Sequence, residues 1–194
     1  MAETRKNRRP LKKILNDFLP DENIELLFYD EAFFRRESTV TRGWYPRGIK
    51  SEVKCPATFE KIGVCGAVNP RTGSLLSLSF DGFNSDTFIY YLDWLIQEMK
   101  TEKKIVVILD NASSHKSHKV LGFVKEHKKK IELVFLPPYS PELNPIERVW
   151  KNLRYHVTHN IYFESIQKLE KAIMKYLKDH AKPNEQLSSL CCIN

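Results

Sequence analysis

Long apolar runs are missing from this sequence of 194 residues, and their absence limits the classes of protein to consider. No run approaches the roughly 18 apolar residues that a membrane-spanning helix needs. The N-terminal residues 1–15 are basic, but no apolar segment of the signal-peptide type follows them. We therefore expect no signal peptide and no membrane partner.

Cysteine is scarce as well. The four cysteines are Cys55, Cys65, Cys191 and Cys192, and none of them forms a C-x-x-C pair. A zinc site or a disulfide framework is therefore not expected. Free thiols, of the kind that persist in a reducing cytosol, are the interpretation that this spacing favours.

Acidic residues are outnumbered by basic ones, 24 to 31, which gives a net charge of +7. This balance favours an anionic partner such as nucleic acid. Basic residues are concentrated near the start of the chain, between Arg5 and Lys13. We interpret residues 1–20 as a basic arm or linker that contacts phosphates, or alternatively as a solvated tail or the end of a truncated helix.

The order of the apolar segments predicts an α/β fold with five strands. The predicted strands are residues 24–34, 59–68, 74–80, 105–109 and 131–136. The first three form a meander, and residues 69–73 make the hairpin loop between the second and the third. A short helix from Ser113 joins the last two, and such a crossover makes them parallel neighbours.

Helical periodicity predicts the flanking layers. Helices are expected from Asn84 to about Met99, after Asn144-Pro145, and from about Glu164 to His180. Asn144 is expected to cap the second of these, with Pro145 at its first position. The helix after Pro145 carries a buried stripe, and its members are Ile146, Val149, Trp150, Leu153 and Val157. We assign residues 21–181 to one domain and expect residues 182–194 to be a frayed C-terminal tail.

A polar, basic segment lies between the first two strands, at residues 35–58, with Gly and Pro at its centre. Cations beside aromatic rings can contact phosphates and stack on an unpaired base. The candidates for nucleic-acid binding are Arg35, Arg36, Arg42, Arg47 and Lys50, with Trp44 and Tyr45. The alternative is an ordered loop whose tryptophan simply caps the core.

Three carboxylates form a candidate site. Asp30 and Asp110 each terminate an apolar strand run, and ligands in open α/β sheets collect at the carboxyl ends of the strands. If those two strands are parallel neighbours, the two acids lie side by side and repel unless a cation neutralises them. Oxygen ligands suit Mg²⁺ or Mn²⁺, and Glu147 would complete a two-metal site for phosphoryl transfer.

Each acid also has a purely structural interpretation. Asp110 can cap the helix that follows it. Glu147 is three residues after Asn144, the spacing of a capping box, and four before Lys151, the spacing of a helical ion pair. The pattern alone leaves these alternatives open.

Three motifs carry a resemblance to a known family: Phe28–Glu31, Ile108–His115 and Leu136–Trp150. Together they resemble the catalytic domain of D-D-E transposases, specifically the mariner-like superfamily and its bacterial insertion-sequence relatives. The third motif, with its Pro-Pro-Tyr-Ser-Pro-Glu-Leu-Asn-Pro segment, is the most specific. The resemblance covers roughly residues 24–160, in an order and with spacings typical of this superfamily.

The resemblance implies a ribonuclease-H-like fold, a mixed five-stranded sheet with three antiparallel and then two parallel strands, flanked by helices. It implies that Asp30, Asp110 and Glu147 are the catalytic acids and bind two Mg²⁺ (or Mn²⁺) ions, and it assigns Asp30 rather than Glu31 to the site. The implied chemistry is hydrolysis at transposon ends followed by strand transfer into target DNA.

The resemblance also implies partners: double-stranded DNA, both transposon ends and target, and a second copy of the chain in a homodimer. Asn111, His115, Lys116 and Arg148 are candidates for contacting DNA or for supporting the acids, and for His115 a hydrogen bond at the helix end is an equal alternative. A cytoplasmic location follows, nucleoid-associated in a bacterium, or a nuclear one in a eukaryote.

Two alternatives remain beside the transposase hypothesis. One is a non-catalytic DNA-binding or assembly module derived from a transposase, and the other is a different nuclease of the same fold. Such transposases carry helix-turn-helix domains before the catalytic domain, whereas only about 20 residues precede the first predicted strand here. An isolated catalytic domain, a fragment and half of a split reading frame are all compatible with this arrangement.

Overall fold

The apolar segments of the chain form a five-stranded sheet with the order β3-β2-β1-β4-β5. A computed structural model describes residues 18, 20–44, 46–48, 52–137 and 143–192. The strands are β1 (Ile24–Arg35), β2 (Lys61–Val68), β3 (Leu75–Phe80), β4 (Lys104–Leu109) and β5 (Ile131–Phe135). Apart from Phe18 and Pro20, the predicted basic arm lies outside the described residues.

Five α-helices flank this sheet in the described part of the chain: α1 (Ser85–Met99), α2 (His118–Glu126), α3 (Ile146–Leu153), α4 (Ile166–Asp179) and α5 (Glu185–Cys191). A 3-10 turn, Ser113–Lys116, precedes α2, and a π-helical turn, Arg154–Thr158, extends α3. None of the helices within the described ranges combines the length and the apolar character that crossing a membrane requires.

The register of the sheet confirms the predicted mixture of antiparallel and parallel strands. β1, β2 and β3 pair antiparallel, and β1 pairs with β4 in parallel from Ile24↔Lys104 to Phe28↔Ile108. β4 and β5 are also parallel. Asp30 and Asp110 were expected to lie side by side if their strands were parallel neighbours. The parallel pairing of β1 with β4 fulfils that condition.

Alternate residues of β1 face two separate apolar cores, because successive side chains of a strand point to opposite faces. Leu26 and Phe28 belong to the core under α3, α4 and α5, whereas Leu27 and Tyr29 belong to the core under α1 and α2. Both faces of the central strand are thus covered, as its almost continuous apolar sequence predicts.

The helix N-termini follow from the sequence in most cases. Asn84 caps α1, accepting from the backbone N–H groups of Asp86 and Thr87, and Thr87 completes a capping box. The hydroxyl groups of Ser117 and Ser165 cap α2 and α4 by accepting from the backbone N–H groups of Val120 and Lys168. These short polar side chains satisfy N–H groups that have no partner inside the helix.

The C-terminal segment differs from the prediction of a frayed tail over residues 182–194. Helix α5 forms there with Asn184 as its N-cap, and its Leu187 and Cys191 are buried in the core under α3. Gly73, in the loop between β2 and β3, allows the start of α5 to pack closely against that loop. It has φ +72, and an added Cβ would lie 2.0 Å from the carbonyl oxygen of Asn184, so only glycine fits at this contact.

Candidate active site

Asp30 and Asp110 lie at equivalent positions of two neighbouring parallel strands. The last pair of β1 and β4 is Phe28↔Ile108, and each aspartate follows its paired residue by two positions. Asp110 comes directly after β4, as predicted. β1 instead continues past Asp30 to Arg35, because its antiparallel pairing with β2 persists after the parallel pairing has ended.

The carboxylate of Asp30 is half-buried against α3, where the indole Nε1 of Trp150 donates a hydrogen bond to its Oδ2 at 3.1 Å. The pKa of Asp30 is raised to about 7, chiefly by burial and further by the charges of Glu147 and Asp110. Hydrogen bonds from the Glu31 backbone and from Trp150 oppose this rise. The charges of the two other predicted acids therefore act on Asp30.

Gly66 makes room for this contact. It is the β2 partner of Asp30, and a Cβ added to it would lie 3.0 Å from the Cη2 atom of Trp150. A glycine inside a strand marks either a bulge or the close approach of another group. The pairing of β2 continues without interruption on both sides, so the close approach to the indole is the reason for glycine at this position.

Asp110 is held mainly through one of its two carboxylate oxygens. Its Oδ1 accepts from the backbone N–H of Ala112 at 3.0 Å and lies 3.0 Å from Nδ1 of His115. The hydrogen bond with His115 lowers the pKa of Asp110 below its usual value, against the raising effect of partial burial. The local turn to Ala112 is the capping type of contact that the sequence left open, and it coexists with the position beside Asp30.

His115 bridges two carboxylates. Its Nε2 lies 3.2 Å from Oε1 of Glu31, and its ring packs against Phe88 and Tyr29 on the α1 face of the sheet. Burial by itself would lower the pKa of His115, but the hydrogen bonds and charges of Asp110 and Glu31 outweigh it and raise the pKa to about 9. The imidazole is therefore protonated at neutral pH, with a carboxylate at each ring nitrogen.

Glu147 lies in the first turn of α3 and is half-buried. Its charge acts on Asp30 and raises the pKa of that carboxyl group. The capping box with Asn144 is not formed. An ion pair with Lys151 is also absent from the ion pairs among the described residues. Neither structural alternative for Glu147 therefore occupies its carboxylate.

Asn144 has a different role from the predicted helix cap. Pro145, not Asn144, is the N-cap of α3, and Asn144 is turned inward, where its Nδ2 donates to the carbonyl oxygen of Tyr29 at 2.9 Å. Its Oδ1 is buried without a hydrogen-bond partner. The reason for the difference is tertiary: the amide joins the start of α3 to β1 one residue before Asp30.

The three acids offer the donor atoms that a divalent cation needs, but they are spread apart. Within the described residues, no group of three or more His, Cys, Asp or Glu side chains is arranged closely enough to hold a metal ion. The donors of Asp30, Asp110 and Glu147 are nevertheless all carboxylate oxygens, the ligands that Mg²⁺ and Mn²⁺ prefer. Their mutual charges raise the pKa of Asp30, and a cation between them would relieve that repulsion. The three acids therefore have the right donor atoms for such an ion, although their side chains are not gathered around one point.

The other predicted DNA-binding residues fall into two groups. Arg42, Trp44 and Arg47 are exposed in the segment between β1 and β2, and Trp44 is fully exposed rather than capping the core. Arg35 is also exposed, and it lines a cavity of about 250 Å³ together with Arg154. Tyr45 and Lys50 lie outside the described residues.

The second group is engaged within the protein. Arg36 pairs with Glu60 and donates to the carbonyl oxygens of Phe163 and Glu164. Lys116 donates to Oδ1 of Asn111, whose own amide donates to the carbonyl oxygen of Leu136 at the end of β5. Arg148 is the third member of this group.

Arg148 binds the C-terminal end of α5. Its Nη1 donates to the carbonyl oxygens of Leu190 and Cys192, at 2.9 and 3.0 Å. Cationic side chains near a helix C-terminus satisfy carbonyl groups that have no partner within the helix. The residue beside Glu147 is thus directed toward the neighbouring helix.

Sequence reasoning missed the contacts of three residues at this site: Glu31, Trp150 and Asn144. Trp150 was predicted as part of a buried stripe, but its bond to Asp30 was not. Its spacing of three from Glu147 places both side chains on one face of α3, and that spacing could have suggested a shared site. Glu31 and Asn144 act through partners that are distant in sequence, so no local pattern could have revealed them.

Comparison with known proteins decides the family. Residues 25–170 match the DDE superfamily endonuclease family. The chain belongs to that family. A protein of insertion element IS630 from Shigella sonnei is 29% identical over 153 residues, which are 78% of this chain and 44% of that protein. The Tc3 transposase of Caenorhabditis elegans is 37% identical over 177 residues, 86% of this chain and 52% of the transposase. This DDE chain therefore spans about half the length of these two relatives.

Solved structures establish the fold. The catalytic domain of Mos1 mariner transposase aligns with a TM-score of 0.63 at 15% identity, covering 98% of this chain and 87% of that domain. The Mos1 paired-end complex with the left transposon end aligns with a TM-score of 0.71 at 15% identity, over 98% of this chain and 58% of that one. The predicted ribonuclease-H-like sheet is confirmed, and the DDE chain has the architecture of a transposase catalytic domain.

Proposed function

We propose that this DDE chain cuts phosphodiester bonds at transposon ends and transfers the freed strand into target DNA, using Asp30, Asp110 and Glu147 with divalent cations. The observation that carries the proposal is geometric: Asp30 and Asp110 occupy equivalent positions of two adjacent parallel strands, and Glu147 lies in the first turn of the helix packed against Asp30. The pKa of Asp30, raised to about 7 in part by the two other acids, supports it. A perturbed carboxyl group beside specific charged neighbours is characteristic of functional sites.

The three acids would hold the cations, two Mg²⁺ or Mn²⁺ ions. When bound, such ions activate the attacking oxygen and stabilise the leaving oxygen of phosphoryl transfer. The chain supplies the geometry around them. Trp150 fixes the Asp30 carboxylate, His115 fixes Oδ1 of Asp110, and Asn144 attaches the start of the Glu147 helix to β1. Mos1 structures with Mn and with Mg support the use of divalent cations in this fold.

Double-stranded DNA is the substrate class that we propose. The similar Mos1 structures include a paired-end complex with the left transposon end and a strand transfer complex. Arg42, Trp44 and Arg47, all exposed in the segment between β1 and β2, are suited to contact phosphates and a base. Paired ends also suggest two copies of the chain acting together, as a homodimer.

The test is nicking of supercoiled plasmid DNA by the purified chain with Mn²⁺ or Mg²⁺. We expect nicking by the wild type and its loss in Asp30→Asn, Asp110→Asn and Glu147→Gln. Asp81→Asn is the matched control, because Asp81 is an exposed aspartate in the turn after β3. If the wild type does not nick, or if the three variants nick as fast as the control, the catalytic proposal fails and the non-catalytic assembly module becomes the better account.

A further inference from the structure

Glu31 immediately follows Asp30 but faces the opposite side of the sheet, as alternation along a strand requires. Asp30 meets Trp150 on the α3 side, whereas Oε1 of Glu31 accepts from the hydroxyl of Tyr29 at 2.9 Å and lies by His115 on the α1 side. The Glu31 side chain is only 20% exposed. A second acid is thus held beneath the site, separated by the sheet from Asp30.

The bridge from Glu31 to the site is His115. Its side chain is 4% exposed, and its two ring nitrogens face Glu31 and Asp110 at 3.2 and 3.0 Å. Phe88 packs on the ring with a centroid distance of 4.4 Å. Ser85 at the start of α1 donates to the carbonyl oxygen of Ser114, which attaches the turn carrying His115 to that helix. The imidazole is therefore fixed in orientation as well as in position.

Asp110 needs such a support more than Asp30 does. It lies beyond the end of β4, and its side chain is 59% exposed, so the sheet does not restrict its rotamer. His115 and Ala112 both bind Oδ1, while Oδ2 has no hydrogen-bond or ion-pair partner among the described residues. Holding one oxygen leaves the other one oriented and available for a ligand.

We propose that Glu31 and His115 are positioning residues for Asp110: the chain Tyr29–Glu31–His115 holds Oδ1 of Asp110 from beneath the sheet, so that Oδ2 is presented toward Asp30. The proposal rests on the proposed function, in which Asp110 binds a divalent cation. Carboxylates and histidines behind metal ligands orient those ligands, and their removal costs metal affinity or activity. Glu31 therefore supports the site although it does not belong to the acid triad.

A merely structural role for His115, as a buried ring between α1 and the sheet, predicts different behaviour from its variants. The amide nitrogen of Asn can replace Nδ1 of His, which faces Asp110. The amide nitrogen of Gln can replace Nε2, which faces Glu31. His115→Asn and His115→Gln lose a similar amount of ring packing, so they form a matched pair that separates positioning from packing.

The experiment measures Mn²⁺ affinity of the full chain by isothermal titration calorimetry, kcat and KM for plasmid nicking, and Tm. We expect His115→Asn to keep Mn²⁺ affinity within about threefold and His115→Gln to lose about 10- to 100-fold, the range typical of residues behind metal ligands. The two variants should have similar Tm values. KM for DNA should not change, and the loss should appear in kcat.

Glu31 is tested in the same assays. Glu31→Gln keeps an oxygen that accepts from His115 and should retain most of the Mn²⁺ affinity, whereas Glu31→Ala should lose about tenfold. Adding Glu31→Ala to His115→Gln should cause no further loss, because both act through one chain of contacts.

The outcomes separate the two proposals. If the wild type neither binds Mn²⁺ nor nicks DNA, the proposed function fails. If the wild type does both, and His115→Asn and His115→Gln bind Mn²⁺ equally, the positioning role is wrong. If the loss of Mn²⁺ affinity were proportional to the loss of Tm in all variants, the positioning role would also be wrong, and His115 would be a packing residue.

Discussion

Trp150 and Asp30 are joined by a hydrogen bond from the indole Nε1 to Oδ2, 3.1 Å long, across the interface between α3 and β1. Trp150 lies one helical turn after Glu147, so one face of α3 carries both the third acid and the donor that fixes the first. Packing of the helix and geometry of the site are therefore set by the same contact.

Replacing Trp150 by Phe should damage the site more than the fold. Phe keeps most of the buried apolar surface but removes the donor, which leaves the half-buried carboxylate of Asp30 with one hydrogen bond less. We expect the pKa of Asp30 to rise above about 7, because the bond from Trp150 lowers it. The pKa can be measured by carboxyl NMR titration of the metal-free chain, and nicking should fall by at least tenfold.

Trp94→Phe is the control for this substitution, since Trp94 is a half-buried tryptophan of α1 on the far side of the sheet. Its Asp30 pKa and its nicking rate should equal those of the wild type. An unchanged Asp30 pKa in Trp150→Phe would show that the indole does not support the carboxylate.

Asp30→Asn should stabilise the metal-free protein at neutral and alkaline pH while it abolishes nicking. The folded chain keeps a proton on Asp30 up to about pH 7, whereas the unfolded chain releases it near 3.8. Because the folded state binds more protons in this window, stability falls as pH rises from about 4 to about 7. The full penalty, about 4 kcal/mol for the shift from 3.8 to about 7, is present above that window.

The measurement is Tm in the presence of a chelator, at pH 4 and at pH 8. The variant should melt above the wild type at pH 8, and the difference should shrink at pH 4, where the wild-type carboxyl is protonated in both states. Asp81→Asn should show no such pH-dependent gain. A variant that is less stable than the wild type at pH 8 would contradict the ionisation penalty.

Arg148→Ala should act on stability rather than on DNA affinity. Its guanidinium donates to the last carbonyl groups of α5, and hydrogen bonds to charged groups contribute about 1.5–3 kcal/mol each. These donors are solvent-exposed, so we expect a loss of about 1 kcal/mol in urea unfolding. Lys151→Ala, an exposed cation on the same helix, is the control.

The two variants should bind DNA alike, because each removes one positive charge from the same helix. A free energy of urea unfolding equal to that of Lys151→Ala, combined with much weaker DNA binding, would instead return Arg148 to the DNA-contacting residues that the sequence suggested.

Gly66→Ala should move the indole of Trp150. The new Cβ would lie 3.0 Å from Cη2 of Trp150, closer than ordinary van der Waals contact. Because the indole is rigid, the whole ring would have to shift to relieve this contact. We expect a loss of about 1–3 kcal/mol in stability together with reduced nicking. Ala67→Gly, the neighbouring position that faces the other core, should lose stability without a comparable loss of nicking per folded molecule.

The sequence predicted what depends on local pattern and chain order. The apolar run of β4 and the short crossover to β5 predicted the parallel pairing of these two strands, which the structure has. The parallel pairing of β1 with β4, on which the adjacency of Asp30 and Asp110 depends, was a condition that the sequence left open and that the structure fulfils. The motif around Glu147 supplied the third acid through its resemblance to a family. Local propensity was sufficient here because each strand length and each connection agreed with one topology.

Contacts between distant residues were not predictable in this way. Asn144 has every local property of a helix cap, yet it binds the carbonyl group of Tyr29, 115 residues earlier. Helix α5 was missed because a seven-residue segment with two fully buried side chains has too little periodicity to detect. Its stability comes from tertiary packing, which dominates for short helices.

The family match ends at residue 170, but the support of Glu147 does not. Arg148 is bound to the end of α5, and the thiol of Cys191 faces the carbonyl oxygen of Pro145, which is the N-cap of the Glu147 helix. An expression fragment trimmed to the matched segment would therefore retain all three acids but lose α5, which contacts the start of the helix that carries Glu147. Fusion partners and linkers for this domain belong after Cys192.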